Sequence, residues 1–371
     1  MAVIATAVSF FVIIISLAIS SGFRKEIRKG ISSLTGDVQL TTSAATSLGA
    51  DEPVNSNPPY LELIKGMRGV DSVVPAIYRA GIVQHGDDLQ GVVFKGVPCA
   101  DSIPLRVSIP RNLARTLRLK EGDDFRSYFI GERVQIRKFK VRDIYDAPVE
   151  ASGNPVVLAS MEDIRRVNGW SEGQASALEI VLDDSFRSRV KERAKASEIA
   201  GLAFGMSSDD ADPTMAIAAA DKYSSVFDWL ELIDFNVYVI LLLMILVAGF
   251  NMVSGLLIML FRNISTIGTL KSLGMKDRGI AGVFLRVALR VVLAGMAIGN
   301  ALALLFCAIQ GTTHFIKLNP ENYFISFVPV HVNVFQIILV DAAACAAIML
   351  LLLIPALFIS RVDPAETVRV K

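Results

Sequence analysis

Few side chains in this sequence are spaced for chemistry. The three histidines, His85, His314 and His331, are too scattered to indicate a zinc site, and no serine lies in a Gly-x-Ser-x-Gly motif. Adjacent carboxylates such as Asp87-Asp88 are far more often turn or helix-cap residues than acid–base pairs. The sequence therefore predicts no catalytic residue and no metal site, and a chain that is not an enzyme by itself.

The segment Gly268-Thr-Leu-Lys-Ser-Leu-Gly274 is the nearest approach to a nucleotide-binding loop. A P-loop requires Gly-x-x-x-x-Gly-Lys-Ser/Thr, so that backbone N–H groups and the lysine surround the phosphates. The glycine spacing here is wrong, and we expect no nucleotide or other cofactor on this chain. A net charge of +1 also gives no reason to expect a nucleic-acid partner.

Four apolar stretches predict four membrane-spanning helices, because about 20 apolar residues cross a hydrocarbon core. The predicted spans are residues 1–23, 235–261, 287–306 (or as far as 314) and 334–360. A cleaved signal peptide would begin with basic residues. In this sequence the basic residues instead follow the first apolar stretch (Arg24, Lys25, Arg28 and Lys29), which favours a retained helix.

The short loops predict the orientation. The segment between the second and third spans is strongly basic, with Arg262, Lys271, Lys276, Arg278, Arg286 and Arg290. Positively charged loops stay in the cytoplasm, so this loop and both termini are predicted to be cytoplasmic. The four basic residues after the first span would then break the rule. Either the first helix continues beyond the membrane as a stalk, or a basic segment precedes Met1.

Asp341 is a carboxylate inside the fourth predicted span. A buried charge is costly in a membrane and is a functional candidate by default. The alternative is a structural one, in which Asp341 forms a hydrogen bond with a neighbour such as Asn300.

Residues 24–230 have the composition of a water-soluble domain, with short β-rich runs separated by turn residues. Strands are predicted at 37–42, 81–83, 91–96, 133–143, 155–159 and 177–182. Helices are predicted at 60–67, 111–117, 161–168 and 185–199. The predicted fold is therefore a membrane α-helical protein whose extracytoplasmic α+β domain, or pair of small lobes, is inserted between the first and second spans.

The loop after the second span resembles the cytoplasmic signature of FtsX-like ABC permeases, in which an arginine is followed by Ile-Gly-x-Leu-Lys/Arg-x-Leu-Gly. In that family the segment forms a short coupling helix that docks into the ATPase subunit. The resemblance implies a coupling loop at residues 262–280, and Thr266 stands where the family usually has an acidic residue. The implied contact residues are Arg262, Ile267, Gly268, Leu270, Lys271, Leu273, Gly274 and Lys276.

Two other segments are similar to those of the lipoprotein-releasing (Lol) permeases within this superfamily. One is Ser21-Gly22-Phe23 with the charged residues that follow it, and the other is the loop 318–329 before the last span. The resemblance implies domains at 1–23, 24–230 and 231–371. It also implies a bacterial inner-membrane complex with an ABC ATPase that binds ATP and Mg, and with a second permease that is a second copy or a paralogue.

By the same resemblance, the complex would extract a lipoprotein from the outer leaflet and pass it to a periplasmic carrier. Acyl chains would contact four apolar residues of the first two spans, namely Phe10, Phe11, Val239 and Met244. The alternative is that these residues serve ordinary packing or lipid contact. Two other functions stay open. One is drug efflux of the macrolide-exporter type, and the other is FtsX-type signalling to a cell-wall hydrolase.

Overall fold

The computed structural model describes residues 2–42, 52–98, 103–131, 134–147, 154–186, 188–319, 323 and 325–358. The chain divides into two compact units. We call Met1–Lys25, Trp229–Leu318 and Phe327–Lys371 the membrane unit, and Glu26–Asp228 with Asn319–Ser326 the strand-rich unit.

The described residues form ten helices and eleven strands. The helices are α1 (Ala2–Thr35), α2 (Leu61–Lys65), α3 (Arg111–Thr116), α4 (Met161–Asn168), α5 (Arg189–Met206), α6 (Ala219–Lys222), α7 (Ser224–Arg262), α8 (Ile264–Ser272), α9 (Asp277–Thr313) and α10 (Val334–Phe358). The strands are β1 (Val38–Thr41), β2 (Val54–Asn55), β3 (Val70–His85), β4 (Asp88–Val97), β5 (Arg106–Pro110), β6 (Asp124–Phe129), β7 (Gln135–Tyr145), β8 (Val156–Ser160), β9 (Gln174–Ala175), β10 (Ala177–Leu182) and β11 (Met215–Ala218).

Four helices are long and apolar enough to cross a membrane, namely α1, α7, α9 and α10. The four predicted spans are therefore confirmed, although α1, α7 and α9 extend beyond them. With 34, 39 and 37 residues, these three helices exceed the roughly 20 residues that a hydrocarbon core requires. In α1 the continuation has a physical reason, because Phe23, Ile27 and Ile31 recur every four residues and are all buried.

Two of the four basic residues that follow the first apolar stretch, Arg24 and Arg28, have partners on α7. The Arg24 guanidinium forms an ion pair with Asp234, and the Ser20 hydroxyl donates to the same carboxylate at 2.6 Å. The Arg28 guanidinium lies over the Phe227 ring, 5.3 Å from its centroid. Arg24 and Arg28 thus contribute to the packing of α1 against α7.

Two glycines of α9 allow α1 to pack at very short distance. A methyl group added at Gly299 would lie 2.5 Å from the Ala7 carbonyl oxygen and 2.9 Å from Cβ of Phe10. At Gly295 it would lie 2.8 Å from Cβ of Thr6. Small residues four positions apart permit this close approach in membranes, where packing rather than water exclusion drives helix association. The first span is therefore an integral part of the helix bundle.

The strand-rich unit contains two lobes that share β3. The sheet order is β11-β1-β10-β3-β4-β8-β5-β7-β6, and β6 also pairs with β3. The six strands from β3 to β6 therefore form a closed ring, filled by aromatic side chains such as Phe94, whose ring centroid lies 4.9 Å from that of Phe129 and 5.3 Å from that of Phe139. In the other lobe, buried residues of β1, β10, α2 and α5 form a separate core. The predicted α+β class is confirmed, in its two-lobed form.

The sequence located α2, α3 and α4 well but predicted only residues 81–83 of the sixteen-residue strand β3. Its first half pairs with β10 and its second half with β4 and β6. Burial therefore changes along the strand without a steady alternation. Alternation of apolar and polar residues is the pattern that identifies strands in a sequence. The strands β5, β6 and β11 were also missed, and α5 continues to Met206 rather than to residue 199.

A buried group of charged and polar side chains lies where the two lobes meet, and we call it the junction cluster: Gln39, Tyr78, Lys95, Glu179 and Lys222. The Lys95 side chain is 4% exposed and its ammonium lies 2.8 Å from the Glu179 carboxylate. It also donates to the Leu34 carbonyl oxygen, in the last turn of α1, at 2.6 Å. Cations are favoured at helix C-termini, so Lys95 connects β4, β10 and the end of α1.

The remaining members complete the junction cluster. The Tyr78 hydroxyl donates to Glu179, and Lys222 donates to the Gln39 side-chain oxygen at 2.7 Å. Burial and then the Glu179 carboxylate raise the pKa of Tyr78 well above its usual value. Burial lowers the pKa of Lys222. Each charge is thus held by several partners, as buried charges must be.

Replacing Lys95 alone should destabilise the protein strongly. K95M leaves the Glu179 carboxylate buried without its cation, which costs on the order of 3–5 kcal/mol. The double variant K95M/E179M replaces the pair with apolar side chains and should recover most of that loss. The measurement is the thermal unfolding midpoint of the full chain in detergent. Equal midpoints for K95M and the double variant would contradict the importance of the ion pair.

Candidate functional site

The short helix α8 lies between α7 and α9 and has one buried face. Ile267 and Gly268 are buried, while Ile264, Leu270 and Lys271 are half-buried. Positions 264, 267, 268 and 271 follow the three- and four-residue spacing of one helical face. Ile267 belongs to an apolar core that contains residues of α1, α7, α9 and α10. This core fixes α8 against the membrane helices, and the opposite face of α8 is exposed.

A glycine ends α8 in the geometry of a Schellman motif. Gly274 has a φ of +84°, its N–H donates to the Lys271 carbonyl oxygen at 2.9 Å, and the Met275 N–H donates to that of Leu270 at 3.0 Å. This pair of hydrogen bonds is the pattern that a left-handed residue after a helix allows. The turn leaves the Leu273 side chain 79% exposed.

The predicted coupling residues lie in one loop but do not share one surface. Lys271 is only 10% exposed, because its ammonium pairs with Asp277 at 3.0 Å. Its side chain is little accessible, and Ile267 and Gly268 are buried. The exposed members of the predicted set are Arg262, Leu273, Gly274 and Lys276.

Met275 is an exposed apolar residue that the sequence-based set omitted. It is 37% exposed and adjoins Gly274 in the chain. The sequence contained a signal for Met275, because it is an apolar residue directly after the glycine that ends α8. We call Arg262, Leu273, Met275 and Lys276 the exposed coupling surface.

Asp341 forms a hydrogen bond with Asn300, the partner that the sequence offered as a structural explanation. Its carboxylate is 8% exposed, and the Asn300 amide donates to it at 2.5 Å. The second oxygen of Asp341 and the amide oxygen of Asn300 are buried without a hydrogen-bond partner among the described residues. The pair joins α10 to α9 inside the membrane, where such hydrogen bonds contribute about 0.6–2 kcal/mol. A functional role of Asp341 stays a prediction.

The four candidate acyl-chain contacts differ in accessibility. Phe10 is fully buried in the contact between α1 and α9. Phe11 and Met244 are half-buried, and the Phe11 ring lies edge-on to that of Phe306 at 6.4 Å. Val239 is well exposed on α7. Val239 can meet a lipid-like ligand directly, whereas Phe10 requires α1 to separate from α9.

The two segments that resemble Lol permeases contact each other. The fully buried Gln310 holds the chain after α9 by donating to the carbonyl oxygen of Val328 at 2.9 Å and accepting from the N–H of Ile316 at 3.2 Å. The adjacent Pro329 lies against Gly22 of α1, where any β-carbon would collide with the Pro329 carbonyl group. Gly22 is therefore required by this contact.

No group of three or more His, Cys, Asp or Glu side chains is placed to hold a metal ion in the parts of the chain that the structure describes. The arrangement as a whole offers surfaces for contact and motion. The described residues combine four apolar helices, a strand-rich unit that follows the first of them, and the short helix α8 between the second and the third.

Residues 238–364 match the family described as FtsX-like permease C-terminal. This range contains α8, α9, α10 and most of α7. The predicted resemblance to FtsX-like ABC transporter permeases is therefore confirmed for this part of the chain.

The similarity extends beyond that domain. This chain is 21% identical to the lipoprotein-releasing system transmembrane protein LolC of Xylella fastidiosa, and the alignment covers 99% of this chain and 92% of LolC. It is 22% identical to LolE of Haemophilus influenzae, over 98% of this chain and 92% of that one. The predicted resemblance to Lol permeases is thus confirmed along nearly the whole chain.

Among solved structures, the periplasmic region of MacB from Actinobacillus actinomycetemcomitans aligns with 51% of this chain and 91% of its own length. The identity is 10% and the TM-score is 0.31.

Proposed function

We propose that this chain is the permease subunit of a complex that extracts lipoproteins from the outer leaflet of the bacterial inner membrane. The observation that carries the proposal is the similarity to LolC over 99% of the chain. It covers the strand-rich unit as well as the domain shared by all FtsX-like permeases. In this proposal both termini and α8 are cytoplasmic, and the strand-rich unit is periplasmic.

The energy would come from a separate ATPase subunit that binds ATP and Mg. The exposed coupling surface supports such docking, because Leu273 is 79% exposed at the end of a rigidly held helix. Burying a leucine side chain contributes about 1.5–3 kcal/mol. The cationic Arg262 and Lys276 flank it, and they would steer an acidic groove of the ATPase toward the loop.

Movement of α8 would pass into the spans by direct packing. Ile267 shares one apolar core with Phe10 of α1, Leu256 of α7, Phe284 of α9 and Ile348 of α10. Closely packed side chains transmit displacement because the interior has little free volume. The helices α1 and α7 also contribute residues to the strand-rich unit, so they would transmit the motion to it.

The substrate step follows from the cost of exposing acyl chains to water. At about 0.8 kcal/mol per buried CH₂ group, a chain of about 16 carbons costs more than about 10 kcal/mol to expose. Release therefore requires both an energy source and a partner that shields the chain, such as a periplasmic carrier. Val239 would meet the acyl chain first, and Phe10 and Phe11 would follow if α1 moves away from α9. A second permease, identical or paralogous, would cover the rest of the acyl chain.

The docking role of Leu273 can be tested by charge insertion. L273D should lower co-purification of the ATPase at least tenfold, because a carboxylate would replace the buried apolar contact. L89D is the matched control, since Leu89 is also a well-exposed leucine (60% exposed) and belongs to the strand-rich unit. Full ATPase recovery with L273D would place the docking site elsewhere. The variant K271E is unsuitable because it breaks the Lys271–Asp277 ion pair inside the loop.

Depletion of the protein tests the transport step itself. Pulse-labelled lipoproteins should accumulate in the inner membrane before growth or cell shape changes, because their release would be blocked. The measurement is the distribution of label between separated inner and outer membranes. If lipoproteins reach the outer membrane at the normal rate, the permease serves efflux or cell-wall signalling instead.

A further inference from the structure

Two arginines of α9 lie on its exposed surface at the edge of the third span. Arg286 and Arg290 are one helical turn apart and both are exposed. Residues 291–309 follow them without a charged side chain, and at ~1.5 Å per residue they extend for roughly 28 Å. That length matches the ~30 Å thickness of a hydrocarbon core. Arg290 therefore lies at the core boundary, and Arg286 about 6 Å further toward water.

The Arg286 side chain is directed back toward the start of α9. Its Nε donates to the Gly282 carbonyl oxygen at 3.1 Å, and a terminal nitrogen would lie 3.9 Å from a β-carbon at position 282. The glycine leaves space for the guanidinium along the helix. Long cationic side chains near helix ends take this direction to reach the headgroup region.

In the described part of the membrane unit, no acidic side chain is placed to neutralise this pair. In the described part of the membrane unit, the acidic residues are Glu231, Asp234, Asp277 and Asp341. The first two belong to the opposite end of α7 from Arg262, Asp277 pairs with Lys271, and Asp341 binds Asn300. Arg290 has no hydrogen bond or ion pair among those residues. Among the described residues the pair thus lacks a complementary anion, and an anion from outside the chain can supply it.

We propose that Arg286 and Arg290 bind the phosphate of an anionic phospholipid headgroup. Two guanidinium groups one turn apart offer planar sets of donors, which suit phosphate oxygens well. Basic residues at the surface of an anionic leaflet each contribute binding of about fivefold. The site would fix the height of α9 in the bilayer, and α9 is the helix that packs against α1 and follows the coupling loop. The proposal does not depend on which substrate is transported.

The test uses the full chain, reconstituted in phosphatidylcholine nanodiscs with a minor fraction of phosphatidylglycerol and then extracted in mild detergent. Native mass spectrometry counts the phosphatidylglycerol retained per chain. R286Q and R290Q should each lower retention by about fivefold, and the double variant by roughly 25-fold. R278Q is the matched control, because Arg278 is on the same helix about 18 Å from Arg290 and beyond the headgroup layer. R286K/R290K should keep most of the retention.

Equal retention in the double variant and the unaltered protein would overturn the proposal. It would also be overturned if phosphatidylcholine retention fell by the same factor, since the contact would then not involve headgroup charge. Unchanged lipid retention with loss of the ATPase would show that the arginines bind a protein. Retained thermal stability of R286Q/R290Q separates lipid loss from unfolding.

Discussion

The structure depends on the absence of water from the hydrocarbon core. Every backbone N–H and C=O group there must be satisfied within a helix, and the helices must then find one another without a hydrophobic driving force. Gly295 and Gly299 provide the close contact that holds α1 against α9.

The two units handle buried polarity differently. In the strand-rich unit, the buried Lys95 and Glu179 each have two hydrogen-bonding partners. In the described part of the membrane unit, the Asp341 carboxylate has one, Asn300. The exposed Arg286 and Arg290 precede the uncharged stretch 291–309 of α9. The carboxylate of Asp341, by contrast, is joined to one neighbouring helix.

The sequence predicted the features that depend on composition and local geometry. The spans followed from apolar length, and the partner of Asp341 from a polar residue on a neighbouring span. It failed where the outcome depends on contacts distant in the chain. The strand β3 serves two lobes and shows no regular alternation, and the ion pair of Lys271 with Asp277 was not predicted. Neither fact is visible in the local spacing of residues.

In the proposed function, ATP hydrolysis by the ATPase subunit drives a lipoprotein out of the bilayer through this permease. The most direct measurement is release of a labelled lipoprotein from proteoliposomes that contain the complex with its ATPase. Release to a soluble acceptor protein should require both ATP and Mg and should stop with a non-hydrolysable nucleotide. If ATP is hydrolysed while the lipoprotein stays with the vesicles, the chain moves a different substrate or transmits a signal.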